Sequence, residues 1–170
     1  LIDGVVNGCP SHLLEPSRLQ LIQYSEDFSQ GSWTKVNNVV VSSEKVISPS
    51  GELNASKLIY DGTASGRIET SINGLTQGFD YTVSVYARVS SGTQIVRFGS
   101  VNDFEYTLTT EWQRLTSTQA ENDTVAYPRF VCNDAAVVEI WGAQLEQGSY
   151  PTSYIPNYGT SAGITRVAET

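Results

Sequence analysis

The run Tyr81–Val89, YTVSVYARV, alternates side-chain character along its whole length. Successive side chains of an extended strand point to opposite faces, so Tyr81, Val83, Val85, Ala87 and Val89 fall on one face. Thr82, Ser84, Tyr86 and Arg88 fall on the other. The same period of two recurs in three further stretches. QIVRFG (94–99) turns Val96 and Phe98 inward and Ile95 and Arg97 outward. PRFVCN (128–133) buries Phe130 and Cys132 and exposes Arg129 and Val131, and VVEIWG (137–142) buries Val138 and Ile140 and exposes Glu139 and Trp141.

Further strands are expected over 36–42, 55–60, 67–72, 104–109 and 112–118, separated by the turn signals SPSGE, YDGTASG, LTQGFD, SSGT and AEND. The one stretch that could be helical, PSRLQLIQY (16–24), places Leu19, Leu21 and Tyr24 as well for a strand as for a helix. Short strands so punctuated predict an all-β, two-sheet antiparallel β-sandwich of jelly-roll type. Residues 1–18 read as a linker or N-terminal extension, 19–147 as the sandwich and 148–170 as an extended C-terminal strap. Within the last strand Gly142 and Ala143 mark a bulge, because the inward parity shifts between Ile140 and Leu145. Trp33 is expected over the mouth of the sandwich and Trp112 as a cap on its core.

Composition narrows the function classes. With 170 residues the chain suits one domain. A net charge of −8 argues against a phosphate-backbone binder, which needs a basic face, so no nucleic-acid partner is expected. No apolar run approaches the roughly 20 residues that cross a bilayer as a helix, so no membrane insertion is expected. Cys9 and Cys132 have no metal-ligand spacing and are expected as reduced thiols. Both ends lack the signals of a processed terminus, and the chain reads as a piece of a longer polypeptide.

Catalytic signatures are missing. The one histidine, His12, stands in CPSHLLEP without a nucleophile elbow, and neither a HExxH pair nor a phosphate-cradling glycine loop occurs. The only carboxylate pair worth considering, Glu69 with Glu139, has nothing beside it to split the two environments as a glycosidase requires. The chain is therefore read as a non-enzyme. If the outward parities belong to one sheet, Glu69, Tyr86, Arg88, Arg97, Arg129 and Trp141 share a surface. That surface is either a solvated face of cross-strand ion pairs or a polar-aromatic groove for a hydroxyl-rich or anionic ligand.

The ordered series YSEDFSQGSW, SPSGELNASKLIYDG, GFDYTVSVYARV, EWQRLT, VEIWGAQLEQGSYPTSYIP and TRVAE spans about residues 19–168. It resembles a module of bacteriophage tail and other virion proteins, which in turn resembles the jelly-roll carbohydrate-binding modules of bacterial polysaccharide hydrolases. The resemblance implies a non-catalytic module that adheres to cell-surface or extracellular polysaccharide. It would act on the virion and outside the cell, or as a secreted part of a polysaccharide-degrading enzyme. The rival it allows is a virion assembly domain, a homo-oligomer whose exposed aromatic tail meets another subunit. It also implies a structural calcium ion between the first and last core segments, with Glu26, Asp27 and Glu146 as ligands. GAQLE departs from the more acidic pattern of the hydrolase-linked modules there, and the stretch between RFGS and EYTLTTEW is shorter than in many phage relatives.

Overall fold

The structure is a computed structural model that describes residues 15–168, so the readings of Cys9 and His12 lie outside the described residues. In chain order the strands are β1 (Arg18–Gln20), β2 (Thr34–Val36), β3 (Val40–Ile47), β4 (Leu53–Asp61), β5 (Gly66–Glu69), β6 (Ile72–Asn73) and β7 (Asp80–Val89). They continue as β8 (Gln94–Gly99), β9 (Asp103–Leu108), β10 (Gln113–Ala120), β11 (Val125–Ala126), β12 (Arg129–Cys132), β13 (Ala135–Gln147) and β14 (Ile164–Arg166). Among the described residues there is no helix, and of PSRLQLIQY only Arg18–Gln20 is strand, the rest being irregular.

Two five-stranded antiparallel sheets face each other, with strand orders β10-β7-β13-β4-β3 (sheet one) and β2-β5-β12-β8-β9 (sheet two). Only β3–β4 and β8–β9 are hairpins within these sheets, and the other links between their strands cross the sandwich. That is the jelly-roll arrangement expected from the strand spacing. The inner faces are those the alternation assigned: Val83, Val85, Val138 and Ile140 on sheet one meet Ile68, Val96, Phe98 and Phe130 on sheet two, all at most 3% exposed. Each such side chain contributes about 1.5–3 kcal/mol by leaving water. Trp33 lies within this core rather than at its mouth, its ring 4.7 Å from Phe28 and its Nε1 donating to the Tyr24 carbonyl at 2.8 Å. Cys132 is a buried thiol, 1% exposed.

The bulge in β13 is where expected. Trp141 pairs with Tyr86 and Gln144 with Ser84, so one extra residue sits on β13, and Gly142 adopts φ 67°. A bulge interrupts the ladder and strands backbone groups. Here they are met by the N-terminal segment. The Gln20 side chain, fully buried, donates through Nε2 to the Ala143 carbonyl (2.8 Å) and accepts from the Leu145 amide (3.1 Å) and the Ile22 amide (2.9 Å). Ala143 N donates to Ser25 O at 2.8 Å and Leu21 N to Leu145 O at 2.9 Å. This fixes the parity of the segment opposite to the sequence reading: Gln20 and Ile22 are buried, and Leu19 is 40% exposed.

Two measurements check this packing. Replacing Gln20 with leucine keeps the volume but leaves three buried backbone groups unpaired, and urea denaturation should show a loss of about 3 kcal/mol or more. Glu121, 2% exposed, has its carboxyl pushed up by burial, partly offset by the Ser100 hydroxyl at 3.0 Å, with Asp123 adding to the rise. A carboxyl raised in the folded state costs stability as pH climbs above its unfolded value, about 4.3. Glu121→Gln should therefore gain stability over the native chain at neutral pH, and pH-dependent denaturation should show that gain shrinking toward pH 4.

Candidate ligand-binding faces

Alternation assigns each side chain to the inside or outside of its own sheet, but a sandwich has two outsides. Tyr86, Arg88 and Trp141 lie on the outer face of sheet one, whereas Glu69, Arg97 and Arg129 lie on the outer face of sheet two. The expected single surface of six residues is therefore split between opposite sides of the domain.

On sheet one the outer face is occupied by the chain itself. The bulge turns Gln144 and Glu146 outward, and both are fully buried beneath the segment after Gly148. Gln144 Oε1 accepts from the Ile155 amide (2.7 Å), and Glu146 accepts from the Thr152 amide (2.9 Å), the Thr152 hydroxyl (3.1 Å) and the Gln144 side-chain amide. The Arg18 guanidinium lies 3.4 Å from Glu146. Arg114 donates to Ser84 Oγ (3.0 Å) and to the Thr152 carbonyl (2.7 Å) while lying over the Tyr86 ring. Tyr154 covers Trp141 with ring centroids 4.4 Å apart, which leaves the indole 5% exposed. Trp141 was expected to be outward and open; it is outward and roofed. The Tyr154 hydroxyl meets Ser25 Oγ (2.6 Å) and Glu26 Oε1 (2.9 Å), and burial holds its pKa far above the ordinary tyrosine range.

Beside the strap, Arg88 pairs with the buried Glu139 at 2.6 Å and stacks on Trp112 at 4.7 Å, with Lys57 opposite Glu139 in register. Trp112 thus faces outward and does not cap the core. Counting back in twos from Arg114 would have shown it.

Sheet two keeps its outer face. Arg67 holds Glu69 through both carboxylate oxygens (2.9 and 3.4 Å). Arg129 reaches past Gly99, its register partner on β8, to Asp103 (2.8 Å) and the Val101 carbonyl (3.3 Å). A Cβ on Gly99 would fall 1.9 Å from the Asn102 carbonyl oxygen, so no larger residue fits there. Val131, expected to be exposed, is 3% exposed, since its register partners on the two sides are Arg67 and Arg97 and their stems can cover it. Arg97 lies opposite Glu105 in register, yet among the described residues no carboxylate comes within 4 Å of it; its only polar partner is Ser65 Oγ at 3.5 Å. Tyr127, 49% exposed, continues the parity of Arg129 beyond Pro128 and brings a ring to this face, as Ile95 (53%) brings an aliphatic surface. Tyr127 was missed because it precedes a proline outside any alternating run.

The three carboxylates expected at a calcium ion do not assemble. Glu146 is saturated by strap donors, Asp27 accepts from Ser29 (Oγ 2.6 Å) and Gln30 (2.7 Å), and Glu26 accepts from Asn54 (2.9 Å) and Tyr154. Among the described residues no group of three or more His, Cys, Asp or Glu side chains forms a cation site. The residues present do not fit the ion through that trio.

The strap contacts can be tested directly. Tyr154→Ala should cost about 3 kcal/mol in denaturation and shift Trp emission to the red as Trp141 meets water. Tyr154→Phe, which keeps the roof, should cost about 1 kcal/mol and leave the emission in place.

No protein-family model matches the chain, and no curated protein matches it in sequence. Solved structures do share its fold. The xylan-binding CBM22-1 domain of Xyn10C from Paenibacillus barcinonensis superposes with a TM-score of 0.58 at 11% identity, covering 81% of this chain and 99% of that one. A family 11 carbohydrate-binding module from Clostridium thermocellum, in complex with a β-1,3-1,4-mixed-linked tetrasaccharide, gives 0.53 at 13% identity, with coverages of 86% and 99%. The enzymatically active domain of tailspike protein 4 from bacteriophage CBA120 gives 0.57 at 11% identity over 76% of this chain, which spans 22% of the tailspike chain. The chain has the jelly-roll fold of carbohydrate-binding modules and of part of a phage tailspike.

Proposed function

We propose that this chain is a non-catalytic carbohydrate-binding module that holds polysaccharide on the outer face of sheet two. The observation that carries the proposal is the asymmetry of the two faces: the strap covers the centre of one, and the other presents Arg97, without a carboxylate partner among the described residues, and, four residues along from its register partner Val131, the exposed ring of Tyr127. A guanidinium offers paired N–H donors to sugar hydroxyls or to a uronate or sulfate group, and an aromatic ring offers its face to sugar C–H bonds. Arg67–Glu69 and Arg129–Asp103 hold the neighbouring charges in place, so the face is preorganised. The three arginines Arg67, Arg97 and Arg129 are matched by Glu69, Asp103 and Glu105, which keeps the surface near neutrality while leaving Arg97 available.

The carboxylate pair considered for a glycosidase does not come together. Glu69 and Glu139 sit on opposite outer faces, each bound to its own arginine, and cannot flank one glycosidic bond. The xylan-binding and tetrasaccharide-bound neighbours support a saccharide ligand. In this reading the module is displayed on a phage particle, outside the cell, where many copies would compensate for a weak single site.

A glycan array of neutral and acidic polysaccharide fragments, read with the purified chain, should find at least one ligand. Arg97→Ala and Tyr127→Ala should each weaken that binding about tenfold while circular dichroism shows the fold intact. An array with no bound glycan would sink the reading.

A further inference from the structure

A concavity lies on another part of the molecule, where the strap passes β3 and β4. It has a volume of about 690 Å³, within the roughly 300–1,000 Å³ range of small-ligand sites. Its rim carries Tyr158, 72% exposed, and Leu53, 65% exposed. An exposed tyrosine on a chain tail would ordinarily be mobile, but this one is fixed at both ends. Its backbone bridges Tyr24, flanked by Ser25 N to Asn157 O (3.0 Å) and Gly159 N to Gln23 O (2.8 Å). Its hydroxyl donates to Glu26 Oε1 at 3.3 Å. The ring is thus held beside a cleft while most of its surface stays open to solvent.

The cleft wall is polar and already organised. Glu26 is oriented by the hydroxyls of Tyr154 and Tyr158 on one oxygen and by Asn54 Nδ2 on the other. Asn54, which lines the cleft, keeps its Oδ1 buried and without a donor among the described residues. Burial works to raise the Asp27 carboxyl, but its hydrogen bonds from Ser29 and Gln30 outweigh this and hold it below the ordinary range. Lys45 is engaged by Ser56 Oγ at 2.9 Å. With Glu52 and Lys35 adjoining, three carboxylates stand against two ammonium groups, so the cleft disfavours an anionic sugar. An amphipathic ring, an aliphatic side chain and an array of hydroxyl, amide and carboxylate acceptors suit a neutral one.

We infer that this cleft is a second carbohydrate site, selective for neutral oligosaccharides, with Tyr158 as the stacking platform and Glu26 as the hydroxyl acceptor. It shares no residue with the face of sheet two, and the two would give one module two sites of different charge preference.

The ¹⁵N-labelled chain titrated with cellohexaose, xylohexaose and galactotriose tests this by amide shifts. At least one sugar should move the amides of Leu53, Asn54 and Ser43, and Tyr158→Ala should weaken that response about tenfold or more. Tyr158→Phe, which keeps the ring, should retain most of it. Ser43→Trp, which fills the cleft from β3 against Tyr158, should abolish it. Arg97→Ala should leave the cleft response unchanged, so failure of the sheet-two reading and failure of this one are distinguishable. If none of the three sugars moves the cleft amides at millimolar concentration, or if Tyr158→Ala binds like the native chain, the inference is overturned.

Discussion

The buried side-chain amide of Gln20 is the contact on which the rest of this domain depends. A bulge at Gly142–Ala143 changes the parity of β13 midway, which allows Ile140 and Leu145 both to point inward while Trp141, Gln144 and Glu146 point outward. The bulge is tolerable only because Gln20 supplies an acceptor and a donor where the ladder has none. Without that exchange β13 could not present Gln144 and Glu146 to the strap, and the strap would have no polar anchors. One amide thus links the first strand, the longest strand and the C-terminal segment.

From this follows a division of labour between the two outsides of the sandwich. Sheet one carries the larger share of polar and aromatic side chains on its outer face, and they are spent on holding the chain's own strap. Its Trp141 and Tyr86 look like a sugar platform in isolation, yet the Tyr154 ring already takes that place. Sheet two carries shorter strands and fewer rings, but Arg67 and Arg129 are braced by neighbouring carboxylates, and the strap that covers sheet one lies on the other side of the sandwich. Aromatic content alone would have pointed to the face that the strap already covers.

Period-two alternation made the longer strands, their inner residues and the bulge legible, because burial on one side leaves a direct trace in side-chain order, but the stretches expected as single strands over 36–42 and 67–72 are each broken, the first at Asn37 and Asn38, which have positive φ. The inward sets of β7, β8, β12 and β13 follow it. What alternation cannot carry is the identity of the sheet. Arg88 and Arg97 have the same parity relative to the core but face opposite directions, since the chain crosses the sandwich between β7 and β8. Nor can it distinguish outward from exposed: Val131 and Trp141 are outward and buried, one beside arginine stems and one beneath Tyr154. Gln20 was unreadable for a further reason, because a polar residue in an apolar run is a core residue only if a distant bulge requires its amide. Tyr158 falls in the segment read as an extended strap, and nothing in its sequence neighbourhood shows that its ring stands 72% exposed.

The antiparallel pairing of β1 with β14 sets Arg18 opposite Arg166, so the two outer segments of the domain meet the sandwich side by side. Tension applied between those two points would load the hydrogen bonds of the pair one rung at a time, as in opening a zip. That mode resists force poorly, since each rung breaks alone. It would stop where the pair reaches Gln20, whose side chain is tied into β13 across the sheet. Under load the domain would therefore part with its outermost rungs early and keep the sandwich closed, lengthening slightly while both outer faces retain their shape.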